Sequence, residues 1–261
     1  MSGNGDLESS ILEALEFIVS ARYVVALTGA GVSVESGIRP FRGPGGLWTE
    51  RGEPPMDGYK RFQSDPKAYW ERRLDPERRR GIGRAMLKAE PNPGHHSLSD
   101  MEEMDVLKSL ITQNIDDLHN AAGSSNVIEI HGNAKKIRCI SCGSRSPFEG
   151  FDISEIPPRC PSCGGIVKSD TVMFGEPIPP VVLNRCIEEA ERCDCMLVIG
   201  TSASVYPAAA LPIRVKRGGG ALLEFNPRPS ELSHMCDVSV RAPSGESLPL
   251  LVSHLKERMG V

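Results

Sequence analysis

The chain has 261 residues, 39% hydrophobic and 25% charged, which suits one large domain or a large domain with a small satellite. Its formal net charge of −4 argues against a general nucleic-acid binder, because such domains are usually basic throughout. No uninterrupted apolar run is long enough to span a membrane, and the first residues lack the basic-then-apolar pattern of a secretory signal.

Leu7, Ile11, Leu12, Leu15, Ile18 and Val19 recur at helical spacing and predict an amphipathic helix. Residues 23–27 then read as a short strand ending in Thr28-Gly29-Ala30-Gly31, where glycines let backbone N–H groups turn towards an anion. A strand feeding a Gly-rich turn and a helix start is how dinucleotide pyrophosphates are held, although the third glycine position of that fingerprint holds Val34. Phe41-Arg42-Gly43 and Gly45-Gly46-Leu47-Trp48 next place an aromatic and a cation in an exposed-looking loop. Between Tyr59 and Glu90, ten Lys or Arg and five Asp or Glu predict a charged helical insertion, whose plain reading is a solvated face.

The α/β rhythm resumes near Val106 with an apolar run ending in Gln113-Asn114-Ile115-Asp116, followed by a short helix closed by Gly123. Residues 127–130 predict a strand with His131-Gly132 beyond it, 196–199 one that ends in Gly200-Thr201-Ser202, and 221–225 one that ends at Asn226-Pro227. Leu248, Leu250, Leu251 and Leu255 suit a closing helix. Strands ending in small or polar residues, with helices between, predict an α/β fold: a Rossmann-like, doubly wound parallel sheet with its ligand at the carboxyl ends.

Cys139-x-x-Cys142, seventeen residues, then Cys160-x-x-Cys163 is a metal-ligand spacing. Four thiolates favour one zinc, and four protein ligands close its shell, so the metal is structural. Cys186, Cys193, Cys195 and Cys236 lack such spacing and read as small buried hydrophobes. Free thiols and no export signal predict a cytoplasmic setting.

GAGVSVESG, PFRG with GGLW, QNIDDLH, EIHG, the cysteine pairs, MFGE and GTSASVYPAA occur in the order found in sirtuins, and the chain resembles that family over almost its whole length. The resemblance implies an NAD-dependent protein lysine deacylase, with NAD as co-substrate and a structural zinc. It implies a cofactor site of Gly29, Ala30, Gly31, Ser33, Phe41, Arg42, Gln113, Asn114, Ile115, Asp116, Gly200, Thr201, Ser202 and Asn226. His131 resembles the catalytic base and Asn114 a residue that orients the ribose and a water, while Asp116 would accept from the nicotinamide amide. Val172, Phe174, Gly175 and Glu176 resemble a strand that pairs with the acyl-lysine peptide of a chromatin protein or metabolic enzyme. Neither nucleic acid nor a membrane is an expected partner, and a bacterial or archaeal source is expected.

The chain departs from the family at Gly37-Ile38-Arg39-Pro40, which shifts a proline and adds a cation near the expected nicotinamide pocket. Tyr69 and Arg72, three apart on a helix, resemble the Tyr-x-x-Arg pair of class III sirtuins, which remove succinyl, malonyl or glutaryl groups. A phenol and a guanidinium together bind a carboxylate through charge-assisted hydrogen bonds. The expected organisation is a Rossmann-like domain of 1–43, 91–135 and 168–261, with a helical insertion at 44–90 and a zinc-ribbon insertion at 136–167 forming the small domain. Alternative readings are a mono-ADP-ribosyltransferase, a plain deacetylase without acidic-acyl preference, and a zinc-ribbon module that binds nucleic acid. Against the last, Glu149, Asp152 and Glu155 offset the cations around the cysteines.

Overall fold

Alternate residues of the central strands face opposite ways, and in this chain both sets are apolar, so helices must cover both faces. The computed structural model describes residues 3–76, 85, 86 and 88–260. The strands are β1 (Val24–Thr28), β2 (Leu107–Thr112), β3 (Val127–Glu129), β4 (Lys136–Cys139), β5 (Arg145–Pro147), β6 (Val167–Ser169), β7 (Cys195–Ile199), β8 (Ala221–Phe225) and β9 (Val238–Val240). Six of them form a parallel sheet in the order β3-β2-β1-β7-β8-β9.

Val24 and Ala26 of β1 and Cys195 and Leu197 of β7 face one core. It is closed by α1 (Gly3–Ser20), α5 (Pro93–Glu103) and α9 (Ser244–Met259), through Ile11, Leu98 and Leu251 among others. Val25, Leu27, Met196 and Val198 face the other core, under α7 (Pro180–Arg192) and α8 (Ala210–Arg217). This is the doubly wound sheet expected from the sequence. The chain runs from β1 outward through β2 and β3, then returns on the other side through β7. The topological switch therefore lies between the carboxyl ends of β1 and β7.

The element after β1 is a 3₁₀ helix, Ala30–Ser36, ended by Gly37 at φ 84°, rather than an α-helix. Val34 is exposed on it, so a side chain fits where the dinucleotide fingerprint has its third glycine. Helix α5 was not read from the sequence although its signal is there. Asn92 caps it, accepting from the Gly94 and His95 N–H groups, and Pro93 opens its first turn.

The insertion carries three short helices among its described residues, α2 (Leu47–Arg51), α3 (Gly58–Ser64) and α4 (Pro66–Leu74), joined by turns; its residues 77–84 and 87 lie outside the described residues. Strands β5-β4-β6 form a separate antiparallel sheet, which runs through Ser169, two residues past the expected limit of the ribbon. Trp70 of α4 is fully buried against Ile137, Cys139, Cys160 and Val167, and its indole N–H donates to the Val167 carbonyl at 2.7 Å. One side chain thus fastens the helical insertion to the cysteine-bearing one. Trp70→Ala should cost ~3–5 kcal/mol of stability, the range for truncating a buried aromatic; urea denaturation read by circular dichroism measures it.

Candidate functional site

Glycine at 29, 31 and 200 is demanded by packing. A Cβ on Gly31 would lie 2.6 Å from the Gly200 Cα, one on Gly29 2.7 Å from the Thr201 Cβ, and one on Gly200 2.5 Å from the Val32 nitrogen. The turns after β1 and β7 therefore touch backbone to backbone. The expected role of these glycines needs correcting, because their N–H groups do not face an open anion site. Gly29 N–H donates to Ile199 O at 3.0 Å and Gly31 N–H to Gly200 O at 2.7 Å. The glycines bring the two strand ends together at the topological switch, where doubly wound sheets have their ligand crevice, with Ala30 half-buried, Thr201 buried and Ser202 exposed beside them.

Beside that crevice lies a buried polar cluster. The Ser33 hydroxyl donates to Asp116 Oδ2 at 2.7 Å and accepts from Asn114 Nδ2 at 3.0 Å, while Asn114 Nδ2 also reaches Gly29 O at 3.1 Å. Burial raises the Asp116 carboxyl above its ordinary range, opposed by bonds from Leu118 N–H and Ser33. His95 and His119 pack against each other beside the cluster, with ring centroids 4.8 Å apart and planes tilted by 54°. His95 Nε2 lies 3.5 Å from the Ser33 hydroxyl, and His119 Nε2 lies 2.9 Å from the Thr28 hydroxyl. Burial pulls His95 down to about 4 and lowers His119 well below its ordinary value, so both rings are neutral and polar without adding charge. Sequence reading missed this pair; the His95 capping position was the available signal.

His131 lies just past β3, its Nδ1 3.1 Å from the Gln113 carbonyl. Nδ1–H is the donor that this contact requires, which leaves Nε2 with a free lone pair. Burial lowers the His131 pKa and the Gln113 carbonyl partly restores it. Gln113 Nε2 donates to the Thr201 hydroxyl at 2.9 Å, and Asn226 Nδ2 donates to the Thr201 carbonyl at 3.0 Å. A continuous polar path therefore joins His131, Gln113, Thr201 and Asn226 across the ends of four strands. Ile115 is half-buried beside it, its carbonyl accepting from Ala134 N–H at 2.8 Å.

The segment expected to be a substrate-pairing strand, 171–176, is a turn. Val172 N–H is occupied by His131 O at 2.8 Å, and Met173 N–H by the Glu176 carboxylate at 2.9 Å. Gly175 has φ 79°, which breaks the extended path, and a Cβ there would meet Met56 O at 2.7 Å. Phe174 packs on Trp48 with centroids 5.5 Å apart, and Trp48 packs on Phe41 at 4.7 Å. Arg42 lies 4.6 Å above the Trp48 ring and pairs with Glu53 at 2.7 Å, so its charge is already matched. Arg39, the cation expected near the nicotinamide pocket, bonds Gly45 O at 2.7 Å and Glu50 at 2.5 Å. It ties the loop to α2 and is not free to act on a ligand.

Cys139 and Cys163 sulfurs are 3.5 Å apart and those of Cys142 and Cys160 are 3.7 Å apart, with all four within 4.8 Å. A tetrahedron of ~2.3 Å Zn–S bonds has edges of roughly 3.8 Å, so the donor set fits one structural zinc. Gly143 N–H returns to Cys139 O and Gly164 N–H to Cys160 O, the paired knuckles that aim each sulfur inward. Cys186, Cys193 and Cys195 are buried in the main domain, and Cys236 is half-buried.

Tyr69 and Arg72 make no hydrogen bond to each other. Tyr69 is half-buried, edge-on to Phe62 and Trp70, with its hydroxyl at Ser169, and burial raises its pKa. Arg72 is exposed and makes no ion pair among the described residues. The cation acting on the Tyr69 phenol is Arg73, which sits 5.0 Å over the Phe148 ring.

A family model for the Sir2 family matches residues 29–207. The chain belongs to the Sir2 family. A relative from Thermococcus kodakarensis, named NAD-dependent protein deacylase, is 43% identical over 94% of this chain and 96% of its own. One from Caldivirga maquilingensis, named NAD-dependent protein deacetylase, is 40% identical over 97% of both chains. A solved Sir2 complex with a p53 peptide and NAD+ is 33% identical over 95% of this chain and 98% of that one, with a TM-score of 0.75. Among the described residues no helix is long and apolar enough to cross a membrane. Removing zinc from this Sir2 protein with a chelator should release one equivalent and melt the β4–β6 sheet while the main sheet survives. Metal analysis with near- and far-ultraviolet circular dichroism checks this, and loss of all secondary structure at once contradicts it.

Proposed function

We propose that this chain is an NAD-dependent protein lysine deacylase, yielding nicotinamide, O-acyl-ADP-ribose and free lysine. The observation that carries the reading is the His131–Gln113–Thr201–Asn226 path, which ties a neutral imidazole to the paired glycine turns at the topological switch. The glycine contacts and the Ser33–Asn114–Asp116 cluster suit a dinucleotide laid across that crevice. NAD supplies an electrophilic ribose carbon beside the nicotinamide leaving group.

In this reading Gly29, Ala30, Gly31 and Ser33, with Gly200, Thr201 and Ser202, line the phosphate side, and Asn226 takes the adenosine ribose. Asp116 and Asn114 hold the nicotinamide amide and its ribose, with Gln113 and Ile115 along the same wall. Phe41 covers the ribose, and Arg42 steadies Trp48 beneath it. His131 Nε2 accepts a proton from a ribose hydroxyl, so that the oxygen can take up the acyl group. The backbone of Val172, Phe174, Gly175 and Glu176 meets the peptide once their turn extends. Reduced thiols and an NAD substrate fit a cytoplasmic setting, with acylated chromatin proteins or metabolic enzymes as targets.

The base works neutral. With the His131 pKa below its ordinary 6.5, kcat/KM should be flat through neutral pH and fall only as pH drops beneath about that value. A profile already falling above it would contradict the assignment. His131→Tyr should abolish O-acyl-ADP-ribose, as mass spectrometry of the products reads, with zinc content unchanged.

We also infer a preference for acidic acyl groups, succinyl or malonyl, alongside acetyl. Its support is the Tyr69 hydroxyl at Ser169 and, three residues on along the same helix, the exposed Arg72 guanidinium, which makes no ion pair among the described residues. Tyr69→Phe and Arg72→Met should reduce desuccinylation by ~10-fold or more relative to deacetylation, the loss of about one charged hydrogen bond. Equal losses on both peptides would leave these residues without an acyl-reading role.

A further inference from the structure

The register of the small sheet aligns three cations. Arg138 of β4 pairs with Arg145 of β5 on one side and Lys168 of β6 on the other. Like charges directly opposite one another repel, so this row stands only where acids answer it. Asp170 meets Arg145 at 3.0 Å and Arg138 at 3.4 Å, while Glu176 meets Arg138 at 2.5 Å and Lys168 at 3.0 Å.

Lys168 is fully buried. Its ammonium has three hydrogens, and it has three acceptors: Ser169 O at 2.8 Å, Thr171 O at 2.7 Å and the Glu176 carboxylate at 3.0 Å. Burial lowers its pKa to about 8 against the pull of Glu176, so it remains charged at neutral pH. The three acceptors bracket one stretch of backbone. Glu176 in turn holds Met173 N–H, and the same stretch presents Val172 to the His131 carbonyl and Phe174 to Trp48.

We propose that Lys168 is a positioning residue for the acyl-lysine peptide: its ammonium gathers the Ser169 and Thr171 carbonyls and the Glu176 carboxylate, and so sets the 171–176 segment beside His131. The link makes the zinc-bearing sheet part of the peptide site, since Lys168 and Arg138 are rooted in its strands. Truncating Lys168 leaves Glu176 facing Arg138 alone and frees both carbonyls, and the segment loses its fixed shape. The inference rests on the deacylase reading.

The test compares wild type, Lys168→Met and Lys168→Arg in steady-state assays of nicotinamide release with an acetyl-lysine peptide, alongside zinc content and melting temperature. Lys168→Met should raise the peptide KM at least ~10-fold while the NAD KM changes less than ~2-fold and zinc stays at one per chain. Lys168→Arg, which keeps the charge and the donors, should recover most of the loss. If wild type turns over and Lys168→Met alters only melting temperature, or shifts both KM values equally, the positioning role is overturned and the deacylase reading stands. If wild type releases no nicotinamide with the peptide, the deacylase reading falls and takes this proposal with it.

Discussion

The hydrogen bond from Gly31 N–H to Gly200 O, 2.7 Å long, is the contact on which the rest of the site depends. It exists because neither turn carries a Cβ at that point. A methyl group on either glycine would force apart the carboxyl ends of β1 and β7, the place where the sheet reverses direction. Gln113 reaches Thr201, and Asn226 reaches the Thr201 carbonyl, only because those ends are held close. The buried cores on the two faces keep the strands parallel and in register, and the glycines convert that register into a crevice.

Polar groups inside the molecule follow one rule in two settings. At the carboxyl ends of the main sheet, Ser33, Asn114 and Asp116 are buried and bond one another, and the buried His95 and His119 reach the Ser33 and Thr28 hydroxyls as neutral rings, beside a carboxyl whose pKa is raised. In the small domain the buried groups are charged: Asp170 and Glu176 answer the buried Arg138 and Lys168 and the exposed Arg145. Removing one member of such a network strands a charge in a poor solvent and costs several kcal/mol, which makes it rigid. The two settings meet at residues 171–176, bound to His131 on one side and to the ion network on the other.

Much of the fold was legible because its signals are local. β8 falls on the expected residues, and β1, β2, β3 and β7 lie within a residue or so of theirs, since short apolar runs ending in polar residues or glycine carry their own boundaries. The cysteine spacing announced a tetrahedral donor set because each knuckle closes within four residues. The glycine N–H groups were misread, because a glycine needed for close approach looks in sequence like one needed for anion binding. The 171–176 turn was also misread. Its shape comes from Lys168, Glu176 and the His131 carbonyl, and a string of β-formers does not reveal which partners take its N–H groups.

The sequence by itself determined the doubly wound sheet, the zinc donor set, the base candidate and the family, because each rests on residue type at fixed spacing. Only the tertiary structure decided which groups meet. It brought Gly31 to Gly200 across 169 positions of chain, turned Arg39 onto Gly45 and Glu50, placed the charge of Arg73 where it acts on the Tyr69 phenol, and aligned three cations over two acids. Those pairings depend on sheet register and on which side chains burial leaves without water, and neither quantity is local in the chain.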